Sequence, residues 1–299
     1  MMSKPLRIWL TGSTGQLGTA LLRLFPSGKT HTWLTTTRAE VDLNHFDVVT
    51  SYLADTQPDL IVNAAAYTAV DQAERERDMA HRLNAELPGL LGKSANCPLI
   101  HISTDYVFGG SDNERSGTPY RETEPPHPAN WYGETKAEGE KRLLSTSSDS
   151  YILRTSWLYG PTTWGKSFYK SIRTNALAGK TLRIVDDEIG TPTSTLTLSR
   201  VIMSLISTYG TPQQVPYGIY HVSDLGECSR YRFAQAIVAL DPKTKETPSS
   251  PCKQDDLGLP AHRPHYSALD SSKIARYFPQ HFQPWEKALQ EVYDLEYNR

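Results

Sequence analysis

Short apolar runs alternate with helix-length segments over the first half of the chain. Five of these runs predict buried strands, at Leu6–Leu10, Thr30–Thr36, Asp59–Ala65, Pro98–Ser103 and Ser150–Arg154. The segments between them predict helices, at Thr19–Phe25, Phe46–Asp55 and Val70–Leu91. Strands that alternate with helices along a chain form parallel sheets covered on both faces. The pattern therefore predicts an α/β fold built on a doubly wound parallel sheet.

The second half of the chain is less regular and predicts a smaller unit beside the sheet. It contains a helical segment near Ser167–Ala178 and strand-like segments at Leu182–Val185 and Tyr217–Val222. The stretch Asp241–Pro260 is rich in proline, lysine and aspartate, which predicts a surface segment. We expect one domain over residues 1–160 with return segments near 190–235, and a smaller C-terminal lobe over 161–189 and 236–299.

Composition is that of an ordinary globular protein, with 38% hydrophobic and 21% charged residues and a net charge of −2. The lack of a basic block argues against nucleic-acid binding. No apolar run approaches the roughly 18 residues of a membrane span. The cysteines, Cys97, Cys228 and Cys252, form no CxxC pair, which predicts a reducing compartment. The first ten residues do not resemble a signal peptide, so we predict a cytoplasmic protein.

Three glycines lie between the first predicted strand and the first predicted helix. Gly12, Gly15 and Gly18 form a GxxGxxG motif. Glycine permits a sharp turn and a close approach to a pyrophosphate, and the helix N-terminus supplies free N–H groups. The alternative is a tight turn that binds nothing. The position of the motif at the first strand–helix junction favours a dinucleotide cofactor and a Rossmann-type sheet.

The end of the second predicted strand bears on cofactor choice. An acidic residue there accepts hydrogen bonds from the ribose of NAD and repels the 2′-phosphate of NADP. Here the segment LTTTR places hydroxyl groups and Arg38 at the position, with Glu40 close behind. The segment predicts NADPH as the preferred cofactor, with NADH also used. The alternative is that Arg38 is a solvated loop residue.

A tyrosine and a lysine are spaced as an acid–base pair. Tyr132 and Lys136 form a YxxxK unit, which puts both side chains on one face of a helix. A nearby ammonium favours the phenolate, so we expect Lys136 to lower the pKa of Tyr132. Thr104 ends the fourth predicted strand, where a hydroxyl can bind a carbonyl oxygen. Together with the glycine turn, these residues predict a reductase.

The chain resembles the extended short-chain dehydrogenase/reductases and, within them, the dTDP-4-dehydrorhamnose reductase family. The resemblance covers the chain nearly from end to end, in the family's order. The matching segments are TGSTGQLG (11–18), VNAAAYTAVDQAE (62–74), STDYVF (103–108), YGETK (132–136), RTSWLYG (154–160), GTPT (190–193) and RPHYS (263–267). The resemblance implies a Rossmann-type NAD(P)-binding domain and a smaller C-terminal lobe for a nucleotide sugar.

The resemblance also implies roles for individual residues. Thr104, Tyr132 and Lys136 are the expected catalytic residues, with Asp105 and Trp157 toward the sugar. The motifs and the resemblance together give the expected cofactor contacts: Gly12, Gly15, Gln16, Leu17, Gly18, Arg38, Asp42, Leu43, Ala64, Ala65, Ala66, Tyr67, Thr68, Tyr132 and Lys136. Arg263, before a proline in a predicted loop, is a candidate to clamp a diphosphate.

The implied reaction is reduction of the C4 ketone of dTDP-4-dehydro-L-rhamnose to dTDP-L-rhamnose, with Tyr132 as proton donor. One alternative is a reductase of another 4-keto-6-deoxyhexose nucleotide. A second is a non-catalytic subunit of the same fold, such as the regulatory subunit of methionine adenosyltransferase. The histidines lack metal-ligand spacing, so no metal centre is predicted, and a Mg²⁺ requirement is not visible in the sequence. The oligomeric state stays open, with a homodimer as one option.

Two features depart from the family's pattern. The family often has an amide where this chain has Glu188, and we expect this residue to face the sugar or a neighbouring subunit rather than the cofactor. The loop Gly109–Asn130, which leads into Tyr132, is longer than expected and proline-rich. Both features bear on which sugar is bound rather than on the reaction.

Overall fold

The computed structural model describes residues 5–110 and 117–297. Its strands are β1 (Leu6–Thr11), β2 (His31–Thr35), β3 (Leu60–Asn63), β4 (Leu99–Thr104), β5 (Ser150–Thr155), β6 (Leu158–Tyr159), β7 (Leu182–Val185), β8 (Ile189–Gly190), β9 (Thr193–Ser194), β10 (Gly218–His221), β11 (Cys228–Ser229) and β12 (Ser249–Cys252). Six of them form a parallel central sheet in the order β10-β5-β4-β3-β1-β2. This sheet confirms the predicted α/β class.

Helices cover both faces of the sheet and continue into the C-terminal lobe. They are α1 (Gln16–Leu24), α2 (Phe46–Thr56), α3 (Val70–Ala73), α4 (Arg77–His81), α5 (Leu87–Ser94), α6 (Trp131–Thr146), α7 (Phe168–Leu177), α8 (Thr195–Thr208), α9 (Arg230–Ala239), α10 (Ser272–Ala275) and α11 (Trp285–Tyr297). A π-helical turn, Arg82–Glu86, joins α4 to α5. No helix within the described ranges is long and apolar enough to cross a membrane.

The central sheet buries both of its faces. Successive side chains of a strand point to opposite sides, so Ile8 and Leu10 pack toward α1 and α8, whereas Trp9 packs toward α2 and α5. All three side chains are fully buried. A strand buried on both sides has a continuous apolar sequence, which is why LRIWL is recognisable as a core strand.

A second core lies in the C-terminal part of the chain. Three short pairs, β6 with β9, β8 with β11 and β7 with β12, surround it. Its largest fully buried side chains include Tyr159, Trp164, Phe233 and Trp285. The six-stranded sheet includes β10, within the predicted return segments, while β7 and β12 belong to the predicted lobe segments. The domain boundaries themselves stay a prediction.

Predicted and observed elements agree closely around the central sheet. Its six strands coincide with predicted segments, and their ends differ by one or two residues. The predicted helix Val70–Leu91 is wrong as one element, since it is divided into α3, α4, the π-helical turn and α5. The predicted surface stretch Asp241–Pro260 contains β12, which pairs with β7. In the Gly109–Asn130 loop, residues 111–116 lie outside the described part of the chain.

Helices α8, α9 and α11 are not predicted from the sequence. The α8 segment, TLTLSRVIMSLIST, is rich in β-branched and hydroxyl-bearing residues with modest helix propensity. Its Leu198, Val201, Ile202 and Leu205 pack into the core on one face of the central sheet. Tertiary packing therefore stabilises this helix against a weak local preference.

Candidate active site

A cleft of about 1210 Å³ lies at the carboxyl ends of the central strands. This is the edge at which parallel sheets bind ligands. Most of the predicted site residues line it: Gly12, Gly15, Gln16, Leu17, Arg38, Asp42, Leu43, Ala64, Ala65, Ala66, Thr68, Thr104, Asp105, Tyr132, Lys136 and Trp157. The fold therefore brings together residues that are spread over 146 positions of the sequence, from Gly12 to Trp157.

The glycine turn is tightly packed, and each glycine has a different constraint. Gly12 has a φ of +66°, and a Cβ there would lie 2.8 Å from the backbone of Ala64. A Cβ on Gly18 would lie 2.3 Å from the carbonyl oxygen of Gly12, so Gly18 allows α1 to pack against the turn. A Cβ on Gly15 would make a tight contact of 3.3 Å with the Gly12 carbonyl oxygen, which is less severe than the clashes at Gly12 and Gly18. The small size of Gly15 leaves the approach to α1 open from the cleft.

The carboxylates near the end of β2 are engaged by neighbouring groups. Glu40 accepts hydrogen bonds from the backbone N–H and the hydroxyl of Thr37, at 2.7 and 2.9 Å. The backbone bond from Thr37 holds the pKa of Glu40 below its usual value. Arg38 is exposed and donates from Nε to Asp42 at 3.2 Å. Arg38 and Asp42 line the cleft, whereas Glu40 does not.

Tyr132 and Thr104 both line the cleft and are joined by a hydrogen bond. Asn130 caps the start of α6 by accepting a hydrogen bond from the N–H of Gly133 at 2.9 Å, which sets the first turn that carries Tyr132. Burial raises the pKa of the Tyr132 phenol above its ordinary value, and a hydrogen bond with Thr104 opposes that rise only in part. The expected lowering of the Tyr132 pKa is therefore wrong, because burial outweighs the neighbouring groups.

Lys136 is one turn after Tyr132 and almost completely buried. Its Nζ donates to the carbonyl oxygen of Ile102 at 2.6 Å and lies 3.4 Å from Nε2 of His101. The Asn63 side chain lies 3.0 Å from the other ring nitrogen of His101. Burial lowers the pKa of Lys136 to about 8, and Glu140 opposes that shift. Burial also holds the pKa of His101 well below its usual range, so this ring is neutral beside the ammonium.

Asp105 and Trp157, the residues expected toward the sugar, both line the large cleft. Asp105 accepts hydrogen bonds from Ser267 at 2.6 Å and from Thr104 at 3.0 Å. Burial raises the pKa of Asp105 to about 6. Trp157 has a φ of +45°, an uncommon conformation for a bulky residue that surrounding structure must stabilise. A Cβ on Gly190 would lie 2.6 Å from its indole, so Gly190 makes room for the ring.

Three predicted site residues lie outside the lining of the large cleft. Gly18 is covered by the turn, as described above. The Tyr67 hydroxyl donates to Glu76 at 2.7 Å, which directs the ring away from the cleft. Arg263 places both Nη groups on the carboxylate of Asp71, at 3.1 and 2.7 Å. The two Nη groups with which Arg263 is predicted to clamp a diphosphate are therefore already bound to Asp71.

A smaller cavity of about 380 Å³ adjoins the large cleft. Arg263 and Glu188 line it together with Arg230, which also lines the large cleft. Sequence analysis missed Arg230, as well as the cleft-lining Lys166 and Phe168. None of these three residues belongs to a recognisable motif. Arginine, lysine and phenylalanine outside a motif are too common in sequences to indicate a site. Among the described residues, no group of three or more His, Cys, Asp and Glu is arranged to hold a metal ion.

Comparison with known proteins agrees with this geometry. The chain matches the family described as RmlD substrate binding domain over residues 6–298. It is 36% identical over 293 residues to a dTDP-4-dehydrorhamnose reductase from Aggregatibacter actinomycetemcomitans, covering 96% of this chain and 98% of that protein. It is 34% identical to a probable dTDP-4,6-dihydroxy-2-methyloxan-3-one 4-ketoreductase from Streptomyces antibioticus, covering 95% and 94%.

A solved structure extends the agreement to three dimensions. The dTDP-4-dehydrorhamnose reductase of Bacillus anthracis in complex with NADP matches with a TM-score of 0.85 and 32% identity, covering 97% of this chain and 99% of that one. Both the sequence and the fold therefore agree over nearly the full length. This agreement confirms the predicted resemblance and favours an enzyme over a non-catalytic subunit. The chain belongs to the dTDP-4-dehydrorhamnose reductase family and is an oxidoreductase.

Proposed function

We propose that this protein reduces the C4 ketone of dTDP-4-dehydro-L-rhamnose to dTDP-L-rhamnose, using NADPH in preference to NADH. The observation that carries the proposal is the convergence of Thr104, Tyr132 and Lys136 on the cleft that also contains the glycine turn. A strand-end hydroxyl, a phenol and an ammonium are the groups that ketone reduction needs around the carbonyl oxygen. The names of the relatives support the choice of a dTDP-4-keto sugar.

The residues at the start of α1 fit a dinucleotide. α1 begins after Gly15 without a side-chain cap, so the N–H groups of its first turn are available to a phosphate. Gln16 and Thr155 both line the cleft. Their side-chain oxygens, Oε1 and Oγ1, are buried and have no hydrogen-bond partner among the described residues. A bound ligand would satisfy such groups.

We assign the cofactor contacts by position in the cleft. The phosphates would contact Gly15, Gln16 and Leu17, with the adenosine end near Arg38, Asp42 and Leu43. Ala64, Ala65, Ala66 and Thr68 would line the nicotinamide side. Gly12 and Gly18 would shape the turn without needing direct contact.

Each catalytic residue has a separate task in the proposed reaction. When bound, NADPH supplies a hydride to the ketone carbon. Tyr132 donates a hydrogen bond to the ketone oxygen and transfers its proton to it, while the Thr104 hydroxyl turns its hydrogen from Asp105 to the same oxygen. Burial keeps the Tyr132 phenol protonated at neutral pH, which suits a proton donor. The Lys136 ammonium stabilises the phenolate that remains and binds the nicotinamide ribose.

Substitution of Tyr132 tests the assignment of the acid. Tyr132→Phe should lower kcat by roughly 100-fold or more, the scale for loss of a positioned general acid. NADPH affinity should change little, because the hydroxyl acts in the chemical step. Tyr277→Phe is the matched control, since this exposed tyrosine lines neither cavity. A Tyr132→Phe enzyme with wild-type kcat would remove Tyr132 from the mechanism.

A panel of dTDP-4-keto sugars tests the substrate. NADPH oxidation is measured with each sugar, and NMR of the product determines the configuration at C4. The Streptomyces antibioticus relative favours a second candidate, the reduction of a different 4-keto-6-deoxyhexose nucleotide. Preference for another sugar by more than tenfold in kcat/KM would select that candidate, because pocket contacts decide the sugar.

A further inference from the structure

The large cleft and the smaller cavity meet at a junction. Four residues line both of them, namely Val70, Tyr106, Phe168 and Arg230. Arg230 is the cation of this set. A nucleoside-diphosphate sugar has its two phosphates between its sugar and its nucleoside. If the sugar lies beside Tyr132 in the large cleft and the nucleoside extends into the smaller cavity, the two phosphates lie at the junction.

The guanidinium of Arg230 lies over two aromatic rings. Its Cζ lies 3.6 Å from the centroid of the Trp157 ring and 5.2 Å from that of Phe168. Stacking of this kind restrains a guanidinium plane and leaves its N–H edge free to bind. The unusual backbone conformation of Trp157 therefore positions a ring against a cation in the substrate part of the cleft.

One edge of the same guanidinium is tethered to Glu188. Arg230 Nε lies 3.4 Å from the Glu188 carboxylate, and the Arg230 backbone N–H donates to the Glu188 carbonyl at 3.2 Å. These two residues are neighbours because β8 and β11, which they flank, pair antiparallel. The Arg230 side chain is 15% exposed and that of Glu188 is 6% exposed. The carboxylate at position 188, where the family often has an amide, therefore has a specific partner in this chain.

The Nη groups of Arg230 have no hydrogen-bond partner among the described residues, unlike those of the other arginines at the smaller cavity. Arg263 is forked onto Asp71, as described above. Arg183 is exposed and donates from Nη2 to Asp256 at 3.1 Å. Arg230 is thus the arginine of this cavity whose terminal edge is available to an anion.

We propose that Arg230 binds the diphosphate of the nucleotide sugar at the junction, and that Glu188 positions its guanidinium. The inference rests on the proposed function, because the diphosphate is placed at the junction only if the sugar lies beside Tyr132. A planar fork matches two phosphate oxygens, and each bond to the phosphates is charge-assisted. Arg230, rather than the predicted Arg263, is then the residue that distinguishes a diphosphate from a monophosphate.

Binding of thymidine nucleotides tests this inference without any turnover. Calorimetry measures the Kd of dTDP and of dTMP in the presence of saturating NADPH. Arg230→Met should weaken dTDP by roughly 10- to 100-fold and dTMP much less, because the lost bonds are charge-assisted. Arg230→Lys, which keeps the charge but not the fork, should fall between Met and the wild type. Arg232→Met is the matched control, since Arg232 is on the same helix, is 62% exposed and pairs with Glu286.

Glu188 has its own test as a positioning residue. Glu188→Gln keeps an oxygen that can accept from Nε, so the ratio of the dTDP and dTMP affinities should stay within about threefold of wild type. Glu188→Leu removes the acceptor and should reduce that ratio. If Glu188→Gln and Glu188→Leu both keep the wild-type ratio of dTDP and dTMP affinities, Glu188 does not position Arg230.

The outcomes separate this inference from the proposed function. An unchanged ratio in Arg230→Met, with NADPH binding and thermal unfolding as in wild type, would overturn the inference even if the enzyme reduces a 4-keto sugar. Wild-type protein that does not bind dTDP would also overturn it. A ratio that depends on Arg230 in a protein that reduces none of the 4-keto sugars would support the inference and refute the proposed reaction.

Discussion

The buried ion pair beneath the active site permits a quantitative stability prediction. Glu140, one turn after Lys136, and Arg154 on β5 are 3% and 1% exposed. Arg154 Nε lies 3.0 Å from Oε1 and Nη2 lies 2.6 Å from Oε2, while Ser103 donates to Oε1 at 2.5 Å. Glu140→Gln keeps the shape but leaves the Arg154 charge buried without a counterion.

Removal of one partner from a buried pair costs about 3–5 kcal/mol. Unfolding entropy is roughly 2.1 cal/mol/K per residue, so for 299 residues each kcal/mol corresponds to roughly 1.6 °C in Tm. We therefore expect Glu140→Gln to lower Tm by about 5–8 °C in differential scanning calorimetry. Glu138→Gln is the control, because Glu138 forms a part-exposed pair with Arg142 on the same helix. Such pairs contribute at most about 1 kcal/mol, which predicts a shift below about 2 °C.

A double substitution distinguishes the buried charge from general disruption. Glu140→Leu with Arg154→Met replaces the pair by apolar side chains, which is often neutral or stabilising in proteins. The double variant should recover most of the stability lost in Glu140→Gln. Equal Tm values for Glu140→Gln and wild type, or a double variant less stable than the single one, would refute the reasoning.

Three further predictions concern residues that line the large cleft. Because the pKa of Lys136 is lowered to about 8 from 10.5, the unfolded chain binds more protons than the folded one between these values, and stability should rise across that window. Urea titrations of Lys136→Met should lack the rise. Arg38→Ala should abolish the proposed NADPH preference in kcat/KM, and a wild-type preference for NADH would instead assign the ribose contact to Asp42. Gly15→Ala should lose NADPH affinity with a smaller loss of stability than Gly12→Ala. A Cβ at Gly15 makes one tight contact of 3.3 Å, whereas Gly12 has positive φ and its Cβ would lie 2.8 Å from the backbone of Ala64.

The sequence by itself determined the central sheet and the positions of the glycine turn and of Thr104, Tyr132 and Lys136. These features depend on local pattern. A strand buried on both faces must be continuously apolar, and a YxxxK pair shares a helix face wherever that helix forms. The carboxyl ends of parallel strands meet at one edge, so motifs at successive strand ends converge on a single cleft once the sheet is recognised.

Only the tertiary structure decided the electrostatic state of the site and the partner of each charge. Arg263 meets Asp71 across 192 positions of sequence, and Arg230 meets Glu188 through a strand pair of two residues each. Neither contact follows a periodic pattern. The pKa of Tyr132 rises instead of falling because the packed cleft removes water from the phenol, and desolvation depends on all the elements that surround a group. Local sequence does not contain that information, because burial is a property of the assembled fold.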